Sequence, residues 1–322
     1  MLFASCAVSP PRRAALDFAV APKLERTSIA RSVILVTLDG TRWQDVFGPD
    51  ELMPTLRRWM TTEGVAIGAP GHGEIWASGP HYVSMPGYTE ILTGRASACQ
   101  SNECDTIASP TILDEVLDGG DDAFVVASWE RIARVASPDP KRLEMTAGRT
   151  THERTSAFDA RLLDDAKDAG AWPGVDDYRR DELTTRVALS AFDRHVPKFA
   201  FVSLGDPDEH AHHGDRERYL ASLRAADAFL AELEKRIDDR TVVFVTADHG
   251  RSNGFRDHGG GWHESGRVWL GVRAPFLAAR GYLDTPSHRL ADVAPTIRCL
   301  LGRRADDSAE AGRSIASICA TE

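Results

Sequence analysis

Aspartate and histidine residues cluster directly after three apolar, β-branched stretches of this sequence. The first stretch ends in Asp39, the second leads into residues 205–213 with three histidines, and the third is followed by Asp248 and His249. Aspartate is common at helix caps and turns, but three such clusters, with a fourth over residues 257–263, exceed what capping requires. Carboxylates and imidazoles without a thiolate are ligands for catalytic zinc, or for manganese or iron. Two ions about 3.5–4 Å apart can hold the attacking and leaving oxygens of a displacement, so the pattern predicts a two-metal hydrolase.

Ser84 is the candidate nucleophile. It precedes Pro86 and Gly87, and residues 88–93 are typical of the start of a helix. The free N–H groups and the positive dipole end of a helix N-terminus favour an anion, so a serine there could attack a tetrahedral oxyanion ester. Serine is also a preferred N-cap residue, and the residues alone leave both roles open.

Alternating strands and helices would position these residues. Continuous apolar runs predict buried strands, and apolar residues at helical spacing predict helices. The predicted strands cover residues 32–38, 123–127, 198–204, 241–246 and 267–272, and the predicted helices cover residues 54–60, 88–93, 111–117, 157–169, 181–195, 217–237 and 292–301. The alternation predicts an α/β fold with a mostly parallel central sheet and helices on both faces. In such sheets ligands bind beyond the carboxyl ends of the strands, where the clusters lie.

Length and charge restrict the classes of function. The chain has 322 residues, 42% of them hydrophobic, and a net charge of −10. We assign a catalytic domain to residues 32–305, between a leader at 1–31 and a tail at 306–322. The negative charge argues against a nucleic acid partner, whereas a small phosphorylated substrate remains compatible because metal ions reverse the charge locally.

No stretch approaches the roughly 20 apolar residues of a membrane span. The polar residues 137–154 predict an exposed loop that caps the site.

The N-terminus and the cysteines bear on the cell compartment. Residues 1–31 read as a leader or signal remnant that we expect to be disordered. Cys6 faintly resembles a lipid-anchor site, with an incidental cysteine as the alternative. Cys99 and Cys104 are spaced to close a small disulfide loop, which would indicate a periplasmic or secreted protein, and unpaired thiols are the alternative. Whether Cys299 and Cys319 form a disulfide is left open.

Taken in order, these segments resemble the alkaline phosphatase superfamily, nearest its phosphodiesterase and nucleotide-pyrophosphatase-like branch. The resemblance covers most of the chain, from about residue 32 to residue 301, and implies an alkaline phosphatase-like fold. It depends on residues 36–40 (VTLDG), 84–86 (SMP) with 92–95 (LTGR), 208–212 (DEHAH), 248–250 (DHG), 258–259 (HG) and 292–296 (DVAPT).

The family pattern implies two metal sites and a covalent mechanism. One metal would be held by Asp208, His212 and His258. The other would be held by Asp39, Asp248 and His249, with the oxygen of Ser84 as a further ligand. In the family the nucleophile is serine or threonine, and a phosphoenzyme forms. A metal ion can stabilise the alkoxide without a nearby general base, which agrees with this role for Ser84.

The first metal site has a competing register. Asp206 and His210 have the same spacing as Asp208 and His212. The resemblance favours the second pair, and His210 and His213 then default to surface positions.

Two further assignments have competitors. His263 competes with His258, which is preferred because a glycine follows it. The phosphate-binding asparagine of the pyrophosphatase relatives is best matched by Asn102, with an ordinary turn residue as the alternative. The phosphate-binding arginine of bacterial alkaline phosphatases has no counterpart beside Ser84, so the preference for monoesters or diesters is left open.

Three other functions compete with phosphate ester hydrolysis. A sulfatase would share the fold, and residues 84–87 (SMPG) fit its motif up to Tyr88, where sulfatases carry the arginine that supports formylglycine; they also usually bind one calcium ion. A catalytically silent binding protein is disfavoured because every metal position of the pattern is filled. A phosphate-transferring mutase usually carries a large inserted domain, for which residues 95–198 are too few.

Overall fold

The computed structural model describes residues 29–48, 52–150, 152–169, 177–304, 306 and 308–319. The predicted leader falls almost wholly outside these residues, and Cys6 lies outside them with it. None of the helices among the described residues is long and apolar enough to cross a membrane.

Eleven strands are assigned in the described residues, and eight of them form one central sheet. They are β1 (Ser32–Leu38), β2 (Gly64–Ile67), β3 (Ile75–Trp76), β4 (Ala123–Ala127), β5 (Glu144–Ala147), β6 (Phe199–Leu204), β7 (Thr241–Thr246), β8 (Arg267–Val268), β9 (Leu270–Arg273), β10 (Gly281–Tyr282) and β11 (His288–Arg289). The central sheet has the order β10-β2-β9-β7-β1-β6-β4-β5, and β11, β3 and β8 form a small second sheet. Strands β7, β1, β6, β4 and β5 are mutually parallel, and β9 runs antiparallel to β7 and β2.

Helices cover the sheet. They are α1 (Trp43–Val46), α2 (Pro54–Arg58), α3 (Ser84–Thr93), α4 (Ile112–Asp118), α5 (Ile132–Ala136), α6 (Ala160–Asp168), α7 (Asp181–Arg194), α8 (Asp206–His212), α9 (Arg216–Glu234), α10 (Val293–Leu300) and α11 (Ala316–Cys319). A π-helical turn (Trp59–Glu63) extends α2, and short 3₁₀ turns lie at Pro140–Arg142, His263–Gly266 and Leu290–Asp292.

Both faces of the sheet are buried, which explains the continuous apolar strands. In β1, Val33 and Leu35 face a core shared with α3, α4 and α10, while Ile34 and Val36 face a second core shared with α7 and α9. Strands covered on both sides have no polar face, so they read as unbroken apolar runs. The predicted α/β fold with a mostly parallel sheet and helices on both faces is confirmed.

Three local predictions differ from the structure. The helix expected at residues 88–93 begins earlier, at Ser84. The strand expected at residues 267–272 is interrupted at Trp269, with β8 and β9 in different sheets. The exposed loop expected at residues 137–154 is wrong in part: it contains β5, whose Met145, Thr146 and Ala147 are buried beside β4. The short segment EMTA lacks a β-branched run, so its sequence carries little strand signal.

Candidate metal centre and nucleophile

Three adjacent parallel strands bring the acidic clusters together. In β1, Leu38 lies opposite Leu204 of β6, and Thr37 lies opposite Thr246 of β7. The three strands therefore end at the same level. Asp39 follows the central strand directly, and the segments after β6 and β7 leave the sheet on either side of it.

The first cluster joins α8 to the loop after β7. Asp208 and His212 lie one turn apart on α8, with His212 Nε2 3.0 Å from Asp208 Oδ2. His258 Nε2 lies 3.0 Å from His212 Nε2 and 3.8 Å from Asp208 Oδ1. His258 Nδ1 lies 2.9 Å from the carbonyl of Tyr82, which fixes the ring with Nε2 turned toward the cluster. The structure thus places the three predicted ligands of one metal around a common point.

The second cluster surrounds Ser84 at the N-terminus of α3. The Ser84 hydroxyl lies 3.4 Å from Asp39 Oδ1 and 3.3 Å from His249 Nε2. His249 is fully buried, and its Nδ1 lies 2.8 Å from the carbonyl of Gly250, so that Nε2 faces the serine and the carboxylates. Ligand atoms of Asp39, Asp208 and His249 lie within 4.8 Å of one another. Asp208 therefore borders both clusters.

Asp248 has a buried carboxylate oxygen that the protein does not satisfy. Its side chain is fully buried, and Oδ1 accepts a hydrogen bond of 3.1 Å from the backbone N–H of Gly40. Oδ2 has no hydrogen-bond partner among the described residues and lies 3.5 Å from His249 Nε2. A buried carboxylate oxygen without a donor is costly. A cation at this position would satisfy it, so the donor set fits a metal ion.

Glycines allow the elements to approach one another here. A Cβ at Gly87 would collide with the backbone carbonyl of Asp248, so only glycine lets α3 pack this closely on the end of β7. Gly40 has a φ of 59° and faces the Asp208 carboxylate, so any side chain there would be both strained and obstructed.

The charges of the two clusters also fit cations. Burial, and then the nearby charges of Asp248 and Asp208, raise the pKa of Asp39 well above its ordinary value. Burial and then Asp208 raise the pKa of Asp248 to about 7. Burial lowers the pKa of His249, and likewise that of His258, to about 4. Three carboxylates that repel one another and two imidazoles held neutral form an environment that a divalent ion would stabilise.

Comparison with known proteins gives a family match over the part of the chain that runs from α7 to α10. Residues 174–302 match the metalloenzyme superfamily. Over this segment, which is less than half of the chain, the sequence is similar to that superfamily. The alkaline phosphatase-like resemblance is thereby confirmed at the level of the superfamily, and divalent metal ions are the cofactor class that its members and these clusters share.

Two phosphoglycerate mutases are similar to part of the chain. The 2,3-bisphosphoglycerate-independent phosphoglycerate mutase of Gloeothece citriformis is 29% identical over 135 residues, which are 37% of this chain and 24% of the mutase. That of Clostridium perfringens (strain 13) is 30% identical over 127 residues, 38% of this chain and 23% of the mutase. The chain thus spans about a quarter of the length of the curated relatives it matches.

Solved structures share the fold at low identity. The phosphonate monoester hydrolase of Agrobacterium radiobacter has a TM-score of 0.62 at 15% identity, covering 90% of this chain and 77% of its own. The alkaline phosphatase of the Antarctic bacterium TAB5 has a TM-score of 0.56 at 13% identity. The match covers 86% of this chain and 99% of the phosphatase. A 2-O GAG sulfatase has a TM-score of 0.60 at 12% identity. The match covers 89% of this chain and 73% of the sulfatase. These similarities show the fold and leave the substrate open.

Arg251 is a member of the site that sequence reasoning missed. It is fully buried, and its guanidinium donates to Asp208 Oδ1 and to the carbonyls of Phe255 (2.7 Å) and Arg256 (2.6 Å). Burial alone would raise the pKa of Asp208, but Arg251 and then the two histidines outweigh it and hold that pKa well below its ordinary value. The available signal was an arginine directly after Asp248-His249-Gly250.

Tyr88 is a second missed member of the site. Its buried hydroxyl donates a hydrogen bond of 2.9 Å to Asp39 Oδ2 and accepts one of 3.0 Å from Ser203. Tyr88 thus holds the outer oxygen of Asp39 and leaves the other oxygen facing Ser84. Its position is the one at which the sulfatase motif carries arginine.

Asp181, at the start of α7, positions the helix that carries Asp208 and His212. Its buried carboxylate accepts hydrogen bonds from the N–H groups of Gly205 (2.8 Å) and Asp206 (2.9 Å) and from the Ser128 hydroxyl (2.5 Å). In return, Asp206 accepts one of 3.2 Å from the Asp181 N–H. The first residues of α7 and α8 therefore cap each other.

Asn102 lies beside the nucleophile, in a loop closed by a disulfide between Cys99 and Cys104. Its side-chain oxygen accepts a hydrogen bond of 3.0 Å from the N–H of Met85, next to Ser84. The predicted small disulfide loop is present in the structure. That the Asn102 amide contacts phosphate stays a prediction. Cys299 and Cys319 are thiols in the structure.

The competing residues lie outside both clusters. The Asp206 carboxylate is engaged with α7. The ring of His263 packs against Trp76, with centroids 5.0 Å apart, and is exposed. His213 is exposed, as expected, whereas the surface position expected for His210 is wrong, since that residue is buried.

Proposed function

We propose that the chain hydrolyses phosphate esters through attack by Ser84, assisted by two divalent metal ions. The observation that carries the proposal is the position of the Ser84 hydroxyl, at the N-terminus of α3 and within 3.4 Å of two candidate metal ligands. Ser84 is the first residue of α3, after the N-cap Val83, and its hydroxyl faces Asp39 and His249 instead of capping a first-turn N–H group.

The two ligand sets are best suited to zinc, with manganese or iron as alternatives. Each contains at least one imidazole and no thiolate, as in catalytic zinc sites. One set is Asp208, His212 and His258, and the other is Asp39, Asp248 and His249 with Ser84. Bound there, divalent ions would stabilise an ionised serine oxygen and the charge that develops on the leaving oxygen.

The proposed reaction has two steps, the formation of a phosphoserine and its hydrolysis. The positive end of the α3 dipole lies at Ser84 and favours the phosphoryl group there. Ser84 Oγ forms a bond to phosphorus as the bond from phosphorus to the ester oxygen breaks, and the serine proton passes to solvent. Water then cleaves the phosphoserine and regenerates the hydroxyl. The side-chain amide of Asn102 is the candidate to donate a hydrogen bond to the phosphoryl group.

Sulfate ester hydrolysis is the main alternative, and the similarity to a sulfatase fold favours it. Tyr88 argues against it. The tyrosine fills the position of the arginine that supports formylglycine, and its hydroxyl is already bonded to Asp39. Mass spectrometry of the peptide with Ser84 would separate the two, since formylglycine there would reject phosphate ester hydrolysis by a serine.

A phosphate-transferring mutase is the second alternative, because the curated relatives are mutases. Between Arg95 and Lys198, however, β4 and β5 belong to the central sheet and α4 to α7 pack on it. The described residues of this span form no separate inserted domain.

The proposal also includes a periplasmic or secreted location. The Cys99–Cys104 disulfide supports it, because such bonds persist in oxidising compartments. A small phosphorylated substrate is the proposed partner, a nucleic acid partner is not expected, and a lipid anchor at Cys6 stays a prediction outside the described residues.

The decisive variant is Ser84→Ala, measured on the metal-loaded protein with p-nitrophenyl phosphate and bis-p-nitrophenyl phosphate. We expect turnover to fall by at least about 10³-fold with metal content largely retained, because the nucleophile is lost while the carboxylate and imidazole ligands remain. Ser190→Ala on α7 is the matched control and should leave turnover unchanged. Near-normal activity of Ser84→Ala would contradict the nucleophile assignment.

A further inference from the structure

The C-terminal segment, residues 311–319, returns to the core of the domain and packs along α10. The backbone N–H of Ile315 donates a hydrogen bond of 3.0 Å to the hydroxyl of Thr296, in the middle of α10. Ile315 and Ile318 are buried in the same core as the apolar residues of α3 and α10. These contacts hold α11 against the last turns of α10.

Cys299 and Cys319 face each other across this contact. Cys299 lies in the last turn of α10, and Cys319 is the last residue of α11. The Sγ atom of Cys299 lies 3.9 Å from the carbonyl of Cys319, and the Sγ atom of Cys319 lies 3.8 Å from the carbonyl of Thr296, one turn before Cys299. The two thiols also share a hydrogen bond, which, followed by burial, raises the pKa of Cys319. Their sulfur atoms are therefore neighbours.

Both thiols can be reached from solvent, because each residue is only partly buried. Access and the distance to a second thiol decide whether a cysteine is oxidised to a disulfide. The pair meets both conditions in the folded chain, without a rearrangement of α10.

The position of the pair gives a cross-link a physical effect. Helix α11 has only four residues, and a helix of this length is marginal on its own. Chain ends also fray unless they are tied to the domain. A bond between Cys299 and Cys319 joins residues 20 positions apart in sequence, so it would restrict the unfolded chain as well as hold α11 on α10.

We propose that Cys299 and Cys319 form a second disulfide site, oxidised by exchange with a small disulfide of the glutathione class. The thiolate of one cysteine attacks a sulfur of the small disulfide and releases one small thiolate. The thiolate of the other cysteine attacks the protein sulfur of this mixed disulfide and releases the second. The protein pair loses two electrons, the small disulfide gains them, and the two protons of the cysteines end on the two released thiols.

The test is peptide mapping of the full metal-loaded chain with the substitution Cys6→Ser, which removes the fifth cysteine. The folded chain is reduced, reoxidised with oxidised glutathione, and labelled with N-ethylmaleimide after denaturation. We expect no label on Cys299 or Cys319, and one joined peptide with two hydrogen atoms fewer than its two parts. The same chain with Cys319→Ala should yield no joined peptide at Cys299, and Cys299→Ala supplies the reciprocal variant.

Three results of the mapping would overturn the proposal. They are N-ethylmaleimide on both cysteines after oxidation, a separate glutathione on each of them, and a bond from either one to Cys99 or Cys104. The mapping of the Cys6→Ser chain is sufficient for this decision, even if a variant at residue 299 or 319 does not fold.

Thermal unfolding measures the effect of the bond on stability. Reoxidation also restores the Cys99–Cys104 bond, so the Cys6→Ser chain is compared with the same chain carrying Cys319→Ala. We expect reoxidation to raise the Tm by about 5 °C more when Cys319 is present. Equal increases in the two chains would contradict the cross-link between α10 and α11. Neither cysteine belongs to the metal clusters, so both measurements are independent of phosphate ester hydrolysis.

Discussion

The hydroxyl of Tyr88 donates to one oxygen of Asp39, at 2.9 Å, while the other oxygen of Asp39 lies 3.4 Å from the hydroxyl of Ser84. One tyrosine therefore orients the carboxylate that stands between the central strand and the nucleophile. Partners of this kind orient the ligands of a metal and are costly to remove.

Tyr88→Phe removes this hydrogen bond and leaves the ring in the core. We expect zinc affinity at the Ser84 cluster to fall by about 10–100-fold, measured by competition with a chelator. Tyr178→Phe, which also removes a buried hydroxyl near the sheet edge, is the control and should change zinc affinity less. Equal affinities for Tyr88→Phe and the unmodified chain would contradict the positioning role.

His258 and His263 provide a paired test of the first metal site. His258→Gln should reduce the metal content by about one ion per chain and reduce turnover by about 10–100-fold or more, because a ligand is lost. His263→Gln should retain both ions, since its ring lies outside the cluster against Trp76. Elemental analysis of the two purified variants measures the difference. The reverse pattern would assign the site to His263.

The pKa of Asp248 predicts a pH dependence of metal binding. Its carboxyl has a pKa of about 7, raised from 3.8 mainly by burial. At pH 6 it is mostly protonated, so binding a metal ion must release this proton, and metal affinity should fall as the pH drops below 7. The neutral imidazoles of His249 and His258, with pKa values of about 4, release none at this pH.

Calorimetry in buffers of different ionisation enthalpy counts the protons released. We expect more protons to be released at pH 6 than at pH 8, because the Asp248 carboxyl is mostly ionised at pH 8. The metal-free chain supplies a second readout. Because the folded pKa of Asp248 lies above its ordinary value, its contribution to stability is present at low pH and is lost as pH rises through 7. Asp248→Asn should remove that contribution, and an unchanged pH profile in this variant would contradict the assignment.

The sequence predicts the fold and most of the candidate site because both depend on strong local signals. Apolar runs identify β1, β6 and β7, and parallel strands must bring Asp39, Asp208 and Asp248 to one edge. The short strand β5 has no such signal, since its four residues contain a glutamate and an alanine and obtain their strand conformation from pairing with β4.

The missed site residues depend on tertiary contacts. Arg251 and Tyr88 act through hydrogen bonds to Asp208 and Asp39, and such partners cannot be read from spacing along the chain.

The central claim is that Ser84 becomes phosphorylated during turnover. The most direct measurement is acid quenching of the metal-loaded chain during hydrolysis of p-nitrophenyl phosphate, followed by mass spectrometry of the peptide that contains Ser84. We predict one phosphoryl group on Ser84, absent in the Ser84→Ala variant and absent without substrate. An unmodified Ser84 peptide from an enzyme whose p-nitrophenolate release shows a pre-steady-state burst, or a phosphoryl group on another residue, would contradict the account.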